Sequence, residues 1–354
     1  MPANDGGHRR VRSVANRASA PAQGGRQMNH LNRRSVLIGT LAAGAALAAP
    51  HVARAQQPVK LRIAKSVTTS FPFAGLELGT EAGIWKAEGI DAEMISFSGD
   101  ARMQQAFTAN SIDIGLGSGP GMGYAVKGVP ARAVAALANK PQNMALVVGK
   151  NSGIKSVDDL KGKRIGVTTA GSLTDWLARK ISAEKGWGPD GVEIVPMGDM
   201  RTRLAAMESG DLPANVTATE QAYQIQADGQ GTVLMTFGEI VPHFHTHVIF
   251  AHNNMTQNRP DDVRRFLRAW FKVAAYMRDN KEATIKSVAR TMKLSDKVIA
   301  DAYDVELSMM SFDGQFDPQA LEVIRHSLKE LGVLDTVPKA EDLYLKGFVP
   351  VSIN

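Results

Sequence analysis

Two stretches of this sequence alternate between short β-branched runs and longer helical runs, and this alternation restricts the fold more than any other feature. In the first stretch, strand patterns occur at 59–64, 90–97, 112–116, 129–138 and 144–149. A charged turn at 158–163 precedes the second stretch, where strand patterns occur at 164–168, 192–197, 215–218 and 232–237. Strands that alternate with helices predict α/β units with largely parallel sheets.

The hydrophobic period changes after one further strand pattern at 247–252. Val263, Phe266, Leu267 and Trp270 repeat at helical spacing, and the stretch 261–334 is mainly helical in pattern. Because these helices have no sheet of their own, we expect them to pack on the first unit. The sequence therefore predicts two lobes joined by two crossovers near 148–153 and 240–247. The first lobe comprises 56–150 and 245–354, and the second comprises 151–244.

The first 55 residues have the pattern of an export signal. Arg33 and Arg34 precede an apolar run at 36–49, and Ala53-Arg54-Ala55 resembles a signal-peptidase site. The run is shorter than the roughly 20 residues that a spanning helix needs. The paired arginines resemble the twin-arginine export motif. We therefore expect a signal peptide over 1–55 that is cleaved after Ala55, a mature chain in the periplasm, and a translation start at Met28.

The basic charge of the chain belongs to this leader. Of 41 Lys and Arg residues and 35 Asp and Glu residues, eight arginines and one aspartate lie in 1–55. The remainder carries 33 basic and 34 acidic side chains, so the formal charge of +6 is no argument for nucleic-acid binding. The sequence has no cysteine, which excludes disulfides, thiolate metal sites and a thiol nucleophile.

Three segments resemble one family of binding proteins. They read EAGIWKAEGIDAE at 81–93, QAFTANSIDIG at 105–115 and SVDDLKGKRIGV at 156–167. In this order they are similar to the nitrate/sulfonate/taurine and thiamine-precursor group of periplasmic binding proteins, and the similarity extends over about 60–350. The third segment is the most specific of the three.

This resemblance implies the two-lobe type II periplasmic-binding fold, an α/β fold in which each lobe is a mainly parallel sheet flanked by helices. It implies a monomeric, non-enzymatic component of an ABC importer, without cofactor or nucleic-acid partner. Such a protein captures a small solute between its lobes and delivers it to a membrane permease and its ATPase. Two alternatives stay open at this point: a periplasmic sensor or adaptor domain, and an enzyme related to thiamine-pyrimidine synthesis. The solute is also open among sulfonates, nitrate, pyrimidines, flavin-like compounds and aromatic acids.

Candidate ligand contacts of the first lobe lie in the turns after its first three strands. These turns offer hydroxyl groups, free N–H groups at helix starts, and a glycine-rich segment that lets the backbone approach a ligand. Helix capping or packing would explain the same residue types. The predicted contacts are Thr68, Thr69, Ser70, Phe71, Ser98, Ser118 and Gly119.

The second lobe offers an uncharged cradle at 168–174, with hydroxyl groups and a glycine before a helix. Ser172 can also serve there as the N-cap of that helix. The predicted contacts of this lobe are Thr169, Gly171, Ser172 and Glu220. The predicted turns contain no arginine or lysine, which favours a neutral or weakly anionic organic solute over a bare oxyanion.

Three histidines, His243, His245 and His247, alternate along a predicted strand and share one face. Imidazole is a common metal ligand, but the outer two residues of such a ladder are about 13 Å apart and no acidic residue joins them. We therefore expect no metal site, and we include His245 among the predicted ligand contacts. The sequence contains no P-loop and no G-x-S-x-G elbow, and no catalytic residue is predicted.

Overall fold

The structure is a computed structural model that describes residues 57–238 and 240–353. The predictions for the leader, which are the signal peptide, the cleavage after Ala55 and the start at Met28, lie outside the described residues. The strands are β1 (Val59–Lys65), β2 (Ile90–Ser96), β3 (Ile114–Ser118), β4 (Ala131–Asn139), β5 (Met144–Gly149), β6 (Arg164–Val167), β7 (Glu193–Pro196), β8 (Ala214–Ala218), β9 (Gly231–Thr236) and β10 (His245–His252).

Helices connect and cover these strands. They are α1 (Gly75–Glu81), α2 (Ile84–Ala87), α3 (Asp100–Thr108), α4 (Gly123–Val126), α5 (Leu173–Glu184), α6 (Met200–Glu208), α7 (Thr219–Ala227), α8 (Asn253–Asn258), α9 (Pro260–Asp279), α10 (Lys281–Met292), α11 (Asp296–Met309), α12 (Pro318–Glu330) and α13 (Ala340–Leu343). Of the helices in the described part of the chain, none is both long and apolar enough to cross a membrane.

The strands form two five-stranded sheets. The first sheet has the order β2-β1-β3-β10-β4, with β1 parallel to both of its neighbours and β10 antiparallel to both of its own. The second has the order β7-β6-β8-β5-β9, in which β6 is parallel to β7 and β8 while β5 is antiparallel to β8 and β9. Each sheet thus has parallel strands on one side and an inserted antiparallel strand on the other.

The C-terminal helices cover the first sheet. In α9, Phe266 and Trp270 are at most 1% exposed and share one buried cluster with Leu61 and Ile63 of β1. This is the stripe that the helical spacing predicts. Pro260 occupies the first position of α9, where the missing N–H leaves no hydrogen bond unmade.

One strand lies in a different sheet from the one that the sequence predicts. β5 pairs with β8 and β9 of the second sheet, whereas the predicted boundary at 150 places it in the first lobe. All six residues of β5 are buried, so its apolar run carries no signal of which sheet it joins. The first crossover is therefore at 140–143 rather than near 148–153, and the second lies between β9 and β10, at 237–244.

Candidate ligand-binding site

A cavity of about 410 Å³ lies between the two sheets. The segments that follow β1 and β2 and the end of β3 line it from one side, and the segments that follow β6 and β7 and the end of β8 line it from the other. The antiparallel strands β5 and β10 bring Met144 and His247 to it near their amino ends. Ligands of open α/β sheets bind at the carboxyl ends of parallel strands, so this cavity is the candidate site.

Several large side chains make part of the cavity wall apolar. They are Phe73, Phe97, Met144, Leu173 and Met200, and they come from the segments around both sheets. Phe73 and Met144 are almost fully buried and are therefore fixed by their packing. A wall of this kind fits the hydrocarbon or aromatic part of an organic molecule.

Five predicted contacts of the first lobe line the cavity: Thr68, Thr69, Ser70, Ser98 and Ser118. Ser118 is buried, and its hydroxyl group already donates to the Asp100 carboxylate at 3.0 Å and accepts from the N–H of Gly121 at 3.2 Å. Its role is therefore to hold Asp100 in place. That the other hydroxyl groups bind a ligand remains a prediction.

Two predicted contacts of the first lobe are part of the core instead. Phe71 is fully buried, and its ring packs edge-on against Tyr303 with ring centroids 6.2 Å apart. Gly119 lies against the backbone of β10, because a Cβ atom there would come within 2.1 Å of the carbonyl oxygen of His245. The glycine permits close packing of the chain on itself and does not line the cavity.

The predicted cradle of the second lobe caps a helix and contacts the first sheet's loops. Ser172 is 1% exposed, is the N-cap of α5 and accepts from the N–H of Asp175 at 3.4 Å. Thr169 Oγ1 accepts from the N–H of Ala101, and Gly171 has a φ of +71° and lies beside Tyr124. These three predicted contacts lie outside the cavity lining, while Thr168 and Thr174 of the same turn line it.

His245 is also held by the protein. Its Nε2 accepts from the N–H of Asp317 at 3.0 Å, so Nδ1 carries the proton and donates to Asn139 Oδ1 at 2.6 Å. Burial lowers its pKa to about 4. His243 is half exposed and lies 3.4 Å from Asp317. No group of three His, Cys, Asp or Glu side chains within 57–238 and 240–353 has the arrangement of a metal site.

His247 lines the cavity in place of His245. The pairing of β10 with β4 is irregular between these two residues. Their side chains therefore do not occupy equivalent positions on one face of the strand, as regular alternation would predict. The imidazole of His247 packs edge-on against Phe73, with ring centroids 4.8 Å apart. Burial lowers its pKa to about 3, so the ring is neutral at physiological pH.

A buried arginine is the main feature that the sequence did not predict. Arg203 of α6 is 5% exposed, and its Nη1 donates to Asn215 Oδ1 and to the carbonyl oxygen of Val216, both at 2.7 Å. Its Nε has no hydrogen-bond partner among the described residues, and the nearest compensation from a carboxylate is the longer-range charge of Asp199, which raises its pKa without forming an ion pair. Burial lowers its pKa to about 10, so it stays charged. Arg201 and Lys293 also line the cavity, which corrects the expectation of a site without basic residues.

Asp100 supplies an opposite charge on the other side. It is 4% exposed, and its two oxygens accept from the N–H and the hydroxyl group of Ser118, each at 3.0 Å. Burial raises its pKa to about 6, because neither of these hydrogen bonds replaces the lost hydration in full. The cavity therefore contains a buried cation and a buried carboxylate on two helices, α6 and α3, that follow strands of different sheets.

The sequence model of the family described as NMT1/THI5 like matches residues 70–284, more than half of the chain. The chain belongs to the NMT1/THI5-like family. A candidate binding protein of Brucella abortus (strain 2308) is 27% identical over 219 residues, which are 61% of this chain and 67% of that protein. The family resemblance predicted from the sequence is confirmed.

Solved structures share the fold of this NMT1/THI5-like chain. The alkanesulfonate-binding protein SsuA from Xanthomonas axonopodis pv. citri, bound to MOPS, has a TM-score of 0.68 at 18% identity and covers 84% of this chain and 98% of its own. The periplasmic nitrate-binding protein NrtA from Synechocystis PCC 6803 also has a TM-score of 0.68, at 15% identity, over 81% and 86% of the two chains. The predicted two-lobe periplasmic-binding fold is confirmed.

The last predicted contact, Glu220, lies behind the cavity of this NMT1/THI5-like protein. Its side chain is fully buried and faces the N–H of Phe71 and the carboxyl group of Glu306. Glu306 Oε2 accepts from Asn143 Nδ2 at 2.9 Å. Burial, and then the neighbouring carboxyl group, raise the pKa of Glu306 well above its usual value, and burial raises that of Glu220 to about 7. Glu220 therefore joins α7 to α11 rather than contacting the cavity.

Proposed function

We propose that this protein is the exported solute-binding component of an ABC importer and that its solute is an organic anion. The observation that carries the proposal is the buried, unpaired guanidinium of Arg203 in a cavity between two sheets. Membership of the NMT1/THI5-like family and the binding proteins among its relatives support the importer role. The export pattern of the leader supports a periplasmic location.

The charge of the solute follows from the cost of burying Arg203. Removal of a cation from water is unfavourable by several kcal/mol, and a hydrogen-bonded counter-charge is the usual compensation. The neutral oxygens of Asn215 and Val216 satisfy only one nitrogen of the guanidinium. An anionic group of the solute completes the pairing, with the charge-assisted hydrogen bonds that arginine forms to carboxylates, sulfonates or phosphates.

The volume of the cavity and its apolar lining residues indicate the size and the character of the solute. A water molecule has a share of about 30 Å³ in the liquid, so an ion of the size of nitrate would fill a small part of a cavity of about 410 Å³. The remaining space is next to Phe73, Phe97 and Leu173, which favours an aliphatic or aromatic body. We therefore favour an organic anion over a bare oxyanion.

The protein binds this solute without altering it chemically. The two sheets close on it, and the closed form docks on a permease that works with an ATPase. Ligand that binds only the folded state stabilises it by about 2.7 kcal/mol at a hundredfold excess over Kd, which raises the melting temperature by several degrees.

The test uses the mature chain from Gln56 onwards, purified from the periplasm. Mass spectrometry of the denatured protein identifies the solute that co-purifies with it. Calorimetry and thermal unfolding then compare that solute with its neutral amide or ester and with nitrate. We expect stabilisation by the anion alone and its recovery unchanged after incubation. Chemical turnover by the purified protein, or equal stabilisation by the neutral analogue, would overturn the proposal.

A further inference from the structure

The hydrogen bonds of Thr246 determine which ring nitrogen of His247 carries the proton. Thr246 Oγ1 lies 3.1 Å from the carbonyl oxygen of Ala138, which can only accept, so the single hydroxyl proton is donated there. Thr246 Oγ1 also lies 3.1 Å from Nδ1 of His247 and, having used its proton, accepts from that nitrogen. The imidazole of His247 is therefore the tautomer with the proton on Nδ1.

This tautomer leaves a lone pair at the cavity. In a neutral imidazole the nitrogen without the proton is an acceptor, and in His247 this is Nε2. No described residue donates a hydrogen bond to it, and the residue lines the cavity while only 7% exposed. Nε2 is not among the fully enclosed polar atoms without a partner, so its lone pair is accessible from the cavity and free to accept from a ligand.

A second acceptor lies next to His247. Ser118 is directly opposite His247 in the pairing of β3 with β10, and both polar hydrogens of Ser118 are donated to Asp100. Asp100 is almost fully buried, lines the cavity and has no ion pair with a basic side chain of the described residues. These residues therefore offer the cavity an imidazole nitrogen and a carboxylate, and no donor.

We propose that His247, held in the Nδ1-protonated form by Thr246, is a specificity-determining residue that accepts a hydrogen bond from an N–H group of the solute, with Asp100 as the neighbouring acceptor. The proposal rests on the proposed function, because it adds a second recognition element to the anion bound at Arg203. The solute class becomes an organic anion that carries an amino, amide or ring N–H group. Arg203 is on the second sheet's side and His247 on the first, so such a solute contacts both sides at once.

The first test needs no solute. NMR of protein labelled with ¹⁵N in histidine distinguishes a protonated ring nitrogen from an unprotonated one, and the spectrum of His247→Phe assigns the resonances. We expect a protonated Nδ1 and an unprotonated Nε2 between pH 6 and 8. In Thr246→Val, which has the same shape and lies outside the cavity lining, we expect a mixture of tautomers. A proton on Nε2 in the unaltered protein would overturn the proposal.

The second test compares benzenesulfonate with 4-aminobenzenesulfonate by calorimetry. Both carry an anion and a ring, and only the second has N–H donors at the opposite end. We expect the amino compound to bind about tenfold more tightly, because it alone can donate a hydrogen bond to Nε2 of His247. In His247→Phe the ratio should fall to about twofold or less. Equal affinities in the unaltered protein would overturn the proposal. Failure of both compounds to bind would instead count against the organic-anion function, while the tautomer from NMR still decides the role of His247.

Discussion

Thr169 Oγ1, which follows β6 of the second sheet, accepts a hydrogen bond of 3.2 Å from the N–H of Ala101 in the first turn of α3. The adjacent Gly99 is so close to this threonine that a Cβ atom there would lie 2.2 Å from its Cγ2. Nearby, the hydroxyl group of Tyr124 donates to the carbonyl oxygen of Ala170. The loops of the two sheets thus touch directly beside the cavity, which is the arrangement expected of a closed binding protein.

Thr169→Val should weaken ligand binding without weakening the fold. Valine keeps the shape of threonine and removes only the acceptor for Ala101. Because one neutral hydrogen bond contributes about 0.5–1.5 kcal/mol, we expect a two- to tenfold higher Kd by calorimetry. Thr232→Val, on the exposed face of β9, is the matched control and should leave Kd unchanged. Equal affinities of both variants would mean that this contact does not stabilise the ligand-bound form.

Arg203→Gln should separate binding from stability. Glutamine can still donate to Asn215 or Val216 but carries no charge. We expect the Kd for the anionic solute to rise about a hundredfold, since loss of one partner of a buried charge pair costs about 2–5 kcal/mol. The melting temperature without ligand should stay equal or rise, because the variant no longer buries a cation that has no ion-pair partner in the described residues.

Arg201→Gln is the control for this prediction. Arg201 lines the same cavity but is exposed, so solvent screens its charge. The Kd of Arg201→Gln for the anionic solute should differ from that of the unaltered protein by about threefold or less. If Arg201→Gln has the larger effect, the anion binds at the mouth of the cavity and not at Arg203.

The positions of these two arginines explain what the sequence could and could not predict about the site. The loops after the strands are predictable, because alternating strands and helices place every such loop at one edge of a sheet. The burial of Arg203 depends on which face of β8 its helix covers, and no local pattern encodes that. One sequence signal could have indicated a special role for Arg203. A cation in the first turn of α6 is unfavourable next to the positive end of the helix dipole, so its presence there suggests a specific partner.

The fold, too, has features that a local sequence pattern predicts and features that depend on tertiary packing. The stripe with Phe266 and Trp270 identifies α9 from the sequence, because helical spacing determines its buried face. The sheet that β5 joins was not predictable, since a strand buried on both faces has no alternation to read. Likewise, Ser172 and Gly119 are residue types that are common in ligand-binding turns. Only the tertiary structure shows that Ser172 caps a helix and that Gly119 permits a close backbone contact.

Glu220→Gln should make the stability of the protein less dependent on pH. Burial raises the pKa of Glu220 from 4.5 to about 7, so between these values the folded state holds a proton that the unfolded state has lost. The free energy of unfolding therefore falls as the pH rises from about 4.5 to 7, and is lowest above 7. Glutamine removes this contribution. We expect the variant to be more stable than the unaltered protein at pH 8, by on the order of 2 kcal/mol, and the difference to shrink at pH 5.

Urea unfolding at pH 5 and pH 8 measures this difference. Glu330→Gln, at the exposed end of α12, is the matched control and should give the same change from pH 5 to pH 8 as the unaltered protein. A variant Glu220→Gln that is less stable than the unaltered protein at pH 8 would show that the folded state stabilises the carboxylate of Glu220, so that its pKa is not raised.

Ser172→Ala should lower the stability of the protein and Ser98→Ala should weaken solute binding, although the sequence assigns both serines to the ligand site. Ser172 is buried, caps α5 and lies outside the cavity lining, so its loss should cost about 1 kcal/mol of stability and change Kd by less than twofold. Ser98 lines the cavity, so its loss should leave the unfolding free energy within about 0.5 kcal/mol. We expect the Kd of Ser98→Ala to rise two- to tenfold, because the variant loses a hydroxyl group that is a predicted solute contact. Urea unfolding and calorimetry on both variants measure the two quantities. A larger loss of affinity in Ser172→Ala than in Ser98→Ala would place the bound solute against Ser172, outside the cavity lining.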